Sequence, residues 1–175
     1  MHGTQTRGRL GGWLRQHREG VRFCLRFSAY TIAAFLFLYG LNDLIVVPST
    51  RWIAWLTHGL LRGAGVQASV SGASVGIPGF AVEIKNNCNA LYEIGLYGAA
   101  VLAYPASFRL RLAGFLLGAA VLYVVNLLRV VSLLALGRYW PGGFQAAHLY
   151  VWQALFLVVV AACWLGWITR LRPGA

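Results

Sequence analysis

The stretch LAGFLLGAAVLYVVNLLRVVSLLAL, residues 112 to 136, holds a single charge, Arg129, in a run long enough to cross a bilayer. Three further apolar runs accompany it: about Phe23 to Val47, ending at Pro48; about Asn89 to Tyr104, stopping at Pro105; and about His148 to Ile168. Charged residues make up only 11% of the chain and hydrophobic ones 59%, too little polar surface to cover a soluble domain. The expectation is an all-α integral membrane protein of about four transmembrane helices. One membrane-embedded domain, residues 22–175, accounts for the length after a basic tail over residues 1–21. The basic flank of the first run imitates a signal peptide, but no small-residue cleavage site follows, so it reads as an uncleaved anchor.

The connections are distinctive. RWIAWLTHGLLRGAG is too short and amphipathic to span, and Trp52, Trp55, Leu56 and Leu60 recur near helical spacing, which fits an interfacial helix lying on the membrane. VQASVSGASVGIPGFAVEIK alternates apolar and small polar residues around Ser-Gly and Pro-Gly turn signals, the pattern of a short extracytoplasmic β-hairpin in an outer loop over about residues 48–88. GRYWPGGFQAA reads as a loop between the last two spans. No internal repeat is visible.

The net charge is +11. In a soluble domain such an excess points to nucleic acid. Here much of it flanks apolar runs, so it reads as topology signal and contact with lipid headgroups, with no nucleic-acid partner. With four spans, Arg7, Arg9, Arg15, Arg18, Arg22, Arg26, Arg109, Arg111, Arg170 and Arg172 all fall on one side. Arg51, Arg62, Lys85 and Arg138 fall on the other. The positive-inside rule puts both termini in the cytoplasm.

That orientation brings three reactive side chains to one membrane depth near the outer face: Cys88, Arg129 and His148. Each has a plain alternative. Cys88 is either a small packing residue or a thiol kept unpaired for chemistry, since Cys24 and Cys163 lie near the opposite ends of their spans and read as packing residues. Arg129 either snorkels to the outer headgroups or is paired in a cavity, because arginine mid-helix costs ~2.5 to 3.5 kcal/mol on insertion scales. Asn126 and Ser132 flank it at three-residue spacing and make a polar stripe. His148 is either an interfacial aromatic beside Tyr150 and Trp152, or a proton exchanger. Together the three support thiol-based acyl transfer. No CxxC or His/Cys cluster has metal spacing, so no metal or cofactor is expected, and haem or metal binding by His58 and His148 is the remote alternative.

At these residues the sequence resembles the exosortase/archaeosortase family of membrane-embedded cysteine transpeptidases. The likeness is carried by GFAVEIKNNCNALYE around Cys88, NLLRVVSL around Arg129 and AHLYVWQ around His148, and it runs from about Gly79 to Trp167. The compact exosortase H subgroup is the most similar, although many members have a small residue and Gly soon after the cysteine where Asn89 and Ala90 stand here. The resemblance implies a nucleophile at Cys88, a charge stabiliser at Arg129 and an acid/base at His148. It also implies substrates that are exported proteins ending in a short motif, an apolar helix and an Arg-rich tail. Glu93 is then expected either to orient Arg129 or His148 or to pair with Lys85. Asn126 is expected to donate to the site or to brace its helix, and Trp152 to wall the cleft or to join the aromatic belt. The competing reading is a non-enzymatic subunit that binds a partner transmembrane helix through Arg129.

Overall fold

The computed structural model describes residues 18–171. Most of the expected basic tail lies outside that range, but its last residues do not, because Arg18 already opens a helix. The elements are α1 (Arg18–Gly40), a π-turn (Asn42–Val46), α2 (Val47–Gly63), β1 (Ser69–Ser71), β2 (Ser74–Ile77), β3 (Phe80–Glu83), a 3-10 turn (Asn86–Cys88), α3 (Leu91–Ala103), α4 (Phe108–Tyr139), α5 (Pro141–Ala146), a second π-turn (Ala147–Val151) and α6 (Trp152–Leu171).

Three helical runs are long and apolar enough to cross a membrane: Arg18–Gly40, Phe108–Tyr139 and Pro141–Leu171. The remaining expected span, about Asn89 to Tyr104, is α3, with 13 residues. At 1.5 Å per residue it covers about 20 Å, short of the ~30 Å hydrocarbon core. Two other expectations shift. The first span ends at Gly40 rather than at Pro48, because Pro48 sits in the first turn of α2, where a missing N–H costs nothing. The expected loop over residues 137–147 is helical except around Trp140. Pro141 starts α5, and Gly143 lies under the Trp140 ring, which would stand 2.6 Å from an added Cβ.

α3 is enclosed by the other helices. Tyr97 and Val101 pack with Leu122 of α4 and with Phe156 and Val160 of α6 in one buried cluster. Its other side meets α1, where Phe35 and Tyr92 make an edge-to-face ring pair at 5.4 Å. Two glycines four residues apart let bulky rings lie on the α4 backbone. A Cβ on Gly118 would come within 2.2 Å of the Tyr97 ring, and one on Gly114 within 2.2 Å of the Trp167 indole. Tyr97 Oη completes the contact by donating to the Gly114 carbonyl at 2.9 Å. Small residues drive close helix approach in lipid, where burial of apolar surface gives helices no preference for one another.

The basic helix ends meet at one end of this bundle. Phe23 near the start of α1 packs its ring on Trp164 of α6, and Tyr104 after α3 packs on Trp164 and Trp167. Arg18, Arg22 and Arg26, together with Arg109, Arg111 and Arg170, belong to these same helix ends.

The opposite end carries the sheet. Instead of one hairpin there are two, giving a three-stranded antiparallel meander in the order β1-β2-β3. Each expected turn signal makes one of them, with Gly72 and Gly79 both at positive φ, +59° and +86°. Alternation sorts the strands into two faces. Val70, Val75, Ile77, Phe80, Val82 and then Ile84 pack against Ile53, Ala54 and Leu61 of α2 and Val130 and Leu134 of α4. Ser69, Ser71, Ser74, Gly76, Ala81 and Glu83 take the other face. α2 buries Thr50, Ile53, Ala54, Thr57 and Leu61 and turns Trp52 and Trp55 outward, stacked at 5.1 Å, the amphipathic arrangement expected of a helix lying on a membrane.

Candidate active site

The chain from β3 to Cys88 follows α4 inward from its end. Phe80 lies on Gly137, where a Cβ would be 2.0 Å from the ring, and Cys88 lies beside Arg129. Those two helix positions are about 12 Å apart at 1.5 Å per residue. Extended backbone thus runs alongside α4 to the level of Arg129. Non-helical backbone at such a level is tolerated where protein encloses it or it lines a cavity.

Local structure fixes the cysteine. The 3-10 turn closes with Cys88 N–H donating to the Lys85 carbonyl at 2.8 Å. Asn89, fully buried, then ties the turn to α2. Its Nδ2 donates to Ser49 Oγ at 2.8 Å and to the Val46 carbonyl at 3.2 Å, while its Oδ1 accepts from Leu91 N–H at 3.1 Å. Ala90 takes a left-handed φ of 63°, which turns the chain straight into α3. A non-glycine residue in that region stores of order 1 to 3 kcal/mol of strain, and such residues cluster at functional sites. Asn89 and Ala90 therefore fix the path of the chain as it leaves the turn that ends at Cys88.

Arg129 comes from mid-α4 and is 3% exposed, so it does not snorkel. Its Nη2 donates to Cys88 Sγ at 3.7 Å, and its guanidinium carbon stands 6.0 Å from the Phe156 ring centroid. His148 sits in the second π-turn. Its Nε2 is 3.2 Å from Cys88 Sγ, and its ring stacks on Phe144 with centroids 5.8 Å apart. With Nε2 accepting from the thiol, the ring proton belongs on Nδ1. The extra residue in a π-turn re-aims side chains without ending the helix, and such turns recur at functional sites.

Burial pushes the Cys88 thiol above its ordinary range. The Arg129 charge opposes that shift, the Glu93 charge adds to it, and the Lys85 backbone and charge oppose it weakly. Net, the sulfur holds its proton at neutral pH, so Arg129 does not by itself produce a thiolate.

The three groups border one cavity of about 400 Å³, walled by residues 80–85, by Val130 and Leu133 of α4, and by Phe144, Gln145 and Leu149. Trp152 is half-buried and not part of that lining. Glu93 and Asn126 are buried and also outside that lining. Glu93 Oε2, both side-chain polar atoms of Asn126 and Arg129 Nε have no protein hydrogen-bond partner. Such atoms are unusual, since buried polar groups are normally satisfied. Phe144 and Gln145 were missed at the sequence level, where Lys85 was read only as a possible partner of Glu93. Phe144 carried a signal, since it precedes His148 by one helical turn, but only if residues 137–147 are read as helix. Cys24 and Cys163 form no disulfide.

Fold and site together define a class: a multi-pass membrane protein whose cysteine, histidine and buried arginine meet in a cleft at one end of the helix bundle. A family model for transmembrane exosortases matches residues 12–165, and the chain belongs to that family. No curated protein and no solved structure matches it.

Proposed function

We propose that the protein is a cysteine endopeptidase and transpeptidase of the bacterial cytoplasmic membrane. It cuts exported proteins within a C-terminal sorting signal, at the outer face, through a thioester on Cys88. The observation that carries this reading is the arrangement of Cys88 Sγ, 3.2 Å from His148 Nε2 and 3.7 Å from Arg129 Nη2, on one cavity.

The chemistry follows from the protonation state. His148 Nε2 takes the thiol proton as sulfur attacks the scissile carbonyl carbon, so thiolate and imidazolium form only during the reaction. The carbonyl oxygen becomes an oxyanion, and the fixed Arg129 charge in a dry site stabilises it. When the carbon–nitrogen bond breaks, His148 returns the proton to the departing amine and leaves an acyl-thioester. An acceptor nucleophile or water then gives its proton to His148 and attacks that thioester, and the proton passes back to sulfur. Stacking on Phe144 holds the imidazole plane through both transfers. Glu93 and Asn126 act as positioning residues behind Arg129.

A substrate anchored by its own apolar helix, with an Arg-rich tail held at the cytoplasmic face, would present its motif at the level of the cleft before any specific contact forms. The helix-clamp alternative is disfavoured because the guanidinium turns inward to Cys88 and Phe156 rather than toward lipid. Cys88→Ala is expected to abolish processing of a co-expressed substrate while the protein inserts at normal levels. Processing that survives the change would end the enzymatic reading.

A further inference from the structure

The strand order β1-β2-β3 leaves one long side of β3 unpaired. Register identifies the main-chain groups on that side. Phe80 opposes Ile77 across a two-residue turn, and Val82 opposes Val75. Two residues further on, the Ile84 N–H donates to the Ala73 carbonyl at 3.0 Å, in the same phase. In an antiparallel ladder hydrogen-bonded and non-bonded pairs alternate, so the N–H and C=O of Ala81 and Glu83 point away from β2. Among the described residues no backbone group bonds to them. Both residues are exposed.

This free edge opens onto the reacting groups. Phe80 through Lys85 form a continuous wall of the cavity that holds Cys88, Arg129 and His148. β3 also leads toward the sulfur, since it starts beside Gly137 and the chain reaches Cys88 beside Arg129. Sheet edges this accessible are commonly covered or blunted in natural proteins, whereas an edge kept open beside a cleft can accept an extended peptide.

We propose that the residues preceding the scissile bond dock as a fourth strand along β3, bonded through their main chain to Ala81 and Glu83. This rests on the cysteine-peptidase reading above. A substrate running from the outer face toward its membrane helix has the same direction as β3, so the added strand is parallel to it. Main-chain bonding makes this subsite tolerant of sequence, and the side chains that face α4 and α5 supply the selectivity.

The test uses two electrophiles on the full-length protein in membranes: acetyl-tetra-alanyl chloromethyl ketone and acetyl-alanyl chloromethyl ketone, with Cys88 alkylation read by mass spectrometry. The longer probe is expected to react about tenfold faster, the worth of one or two main-chain hydrogen bonds. Ala81→Pro removes an outward N–H without touching the β2 ladder and should bring the ratio of the two rates down toward one. In the unaltered protein, N-methylation of the probe's inner amides should erase the longer probe's advantage equally, which answers the question even where Ala81→Pro folds poorly. Equal rates for the two probes on the unaltered protein, or a retained advantage after N-methylation, would overturn the docking. The enzymatic reading would be untouched by either result, because it stands or falls on Cys88→Ala.

Discussion

At Cys88 two effects compete, and burial outweighs the nearby guanidinium, so the thiol sits above its ordinary range. Alkylation of Cys88 by iodoacetamide, which needs the thiolate, should therefore still be rising with pH above about 8.5, the usual cysteine value. Arg129→Gln removes the charge that favours the thiolate and should move that profile to higher pH. Glu93→Gln removes a charge that opposes it and should move the profile to lower pH. Profiles that fail to separate in these directions would show that neither charge acts on the sulfur. Arg129→Lys should lose most processing activity, because an ammonium is a point charge and cannot reproduce the guanidinium's planar set of donors. At this scale the sequence singled out Cys88, Arg129 and His148, and the structure brings these three side chains together. The balance of burial against charge was not legible, because burial arises from the packing of α2, β3 and α4 around the turn. Nor was the part played by Asn89, two of whose hydrogen bonds reach a segment about forty residues away.

Apolar runs translated into helices well, and their boundaries less well. The run that stops at Pro48 does so only as an apolar pattern, since the backbone continues through a π-turn into α2. The Pro-Gly-Gly stretch after Trp140 has the composition of a loop. Helix is favoured there by proline in the first turn and by a glycine that lets the Trp140 ring close down. The alternation in residues 66–85 was legible as β-structure, but a pattern of period two does not say how many strands a segment folds into. The α3–α4 interface gives a direct check. Gly118→Leu should force the Tyr97 ring out of place and cost about 1 to 3 kcal/mol, the usual range for overpacking, read as a lower melting temperature in detergent. Gly166→Ala is the control. Nothing lies within 4 Å of its added methyl, and replacing a helical glycine should be neutral or slightly stabilising. Equal melting temperatures for the two variants would mean that the close approach of α3 to α4 is not needed for stability.

For the molecule as a whole, arginine placement anticipated which helix ends lie together, and the ring contacts among Phe23, Tyr104, Trp164 and Trp167 put those ends side by side. Which end faces the cytoplasm is a matter for labelling. A membrane-impermeant maleimide added to intact spheroplasts should modify Cys88 and spare Cys24 and Cys163, which become reactive only after permeabilisation. The reverse pattern would invert the proposed orientation. The run from about Asn89 to Tyr104 is short for a bilayer in the sequence itself, but its shelter by neighbouring helices was not legible, because hydropathy records composition and not who surrounds whom. α4, by contrast, runs unbroken for 32 residues, about 48 Å, touching Trp167 near one end and Phe80 near the other. A continuous rod without proline offers no hinge, so the wall bearing Arg129 stays fixed, and any widening of the cleft to admit a chain has to come from the sheet or from the bulged helix that carries His148.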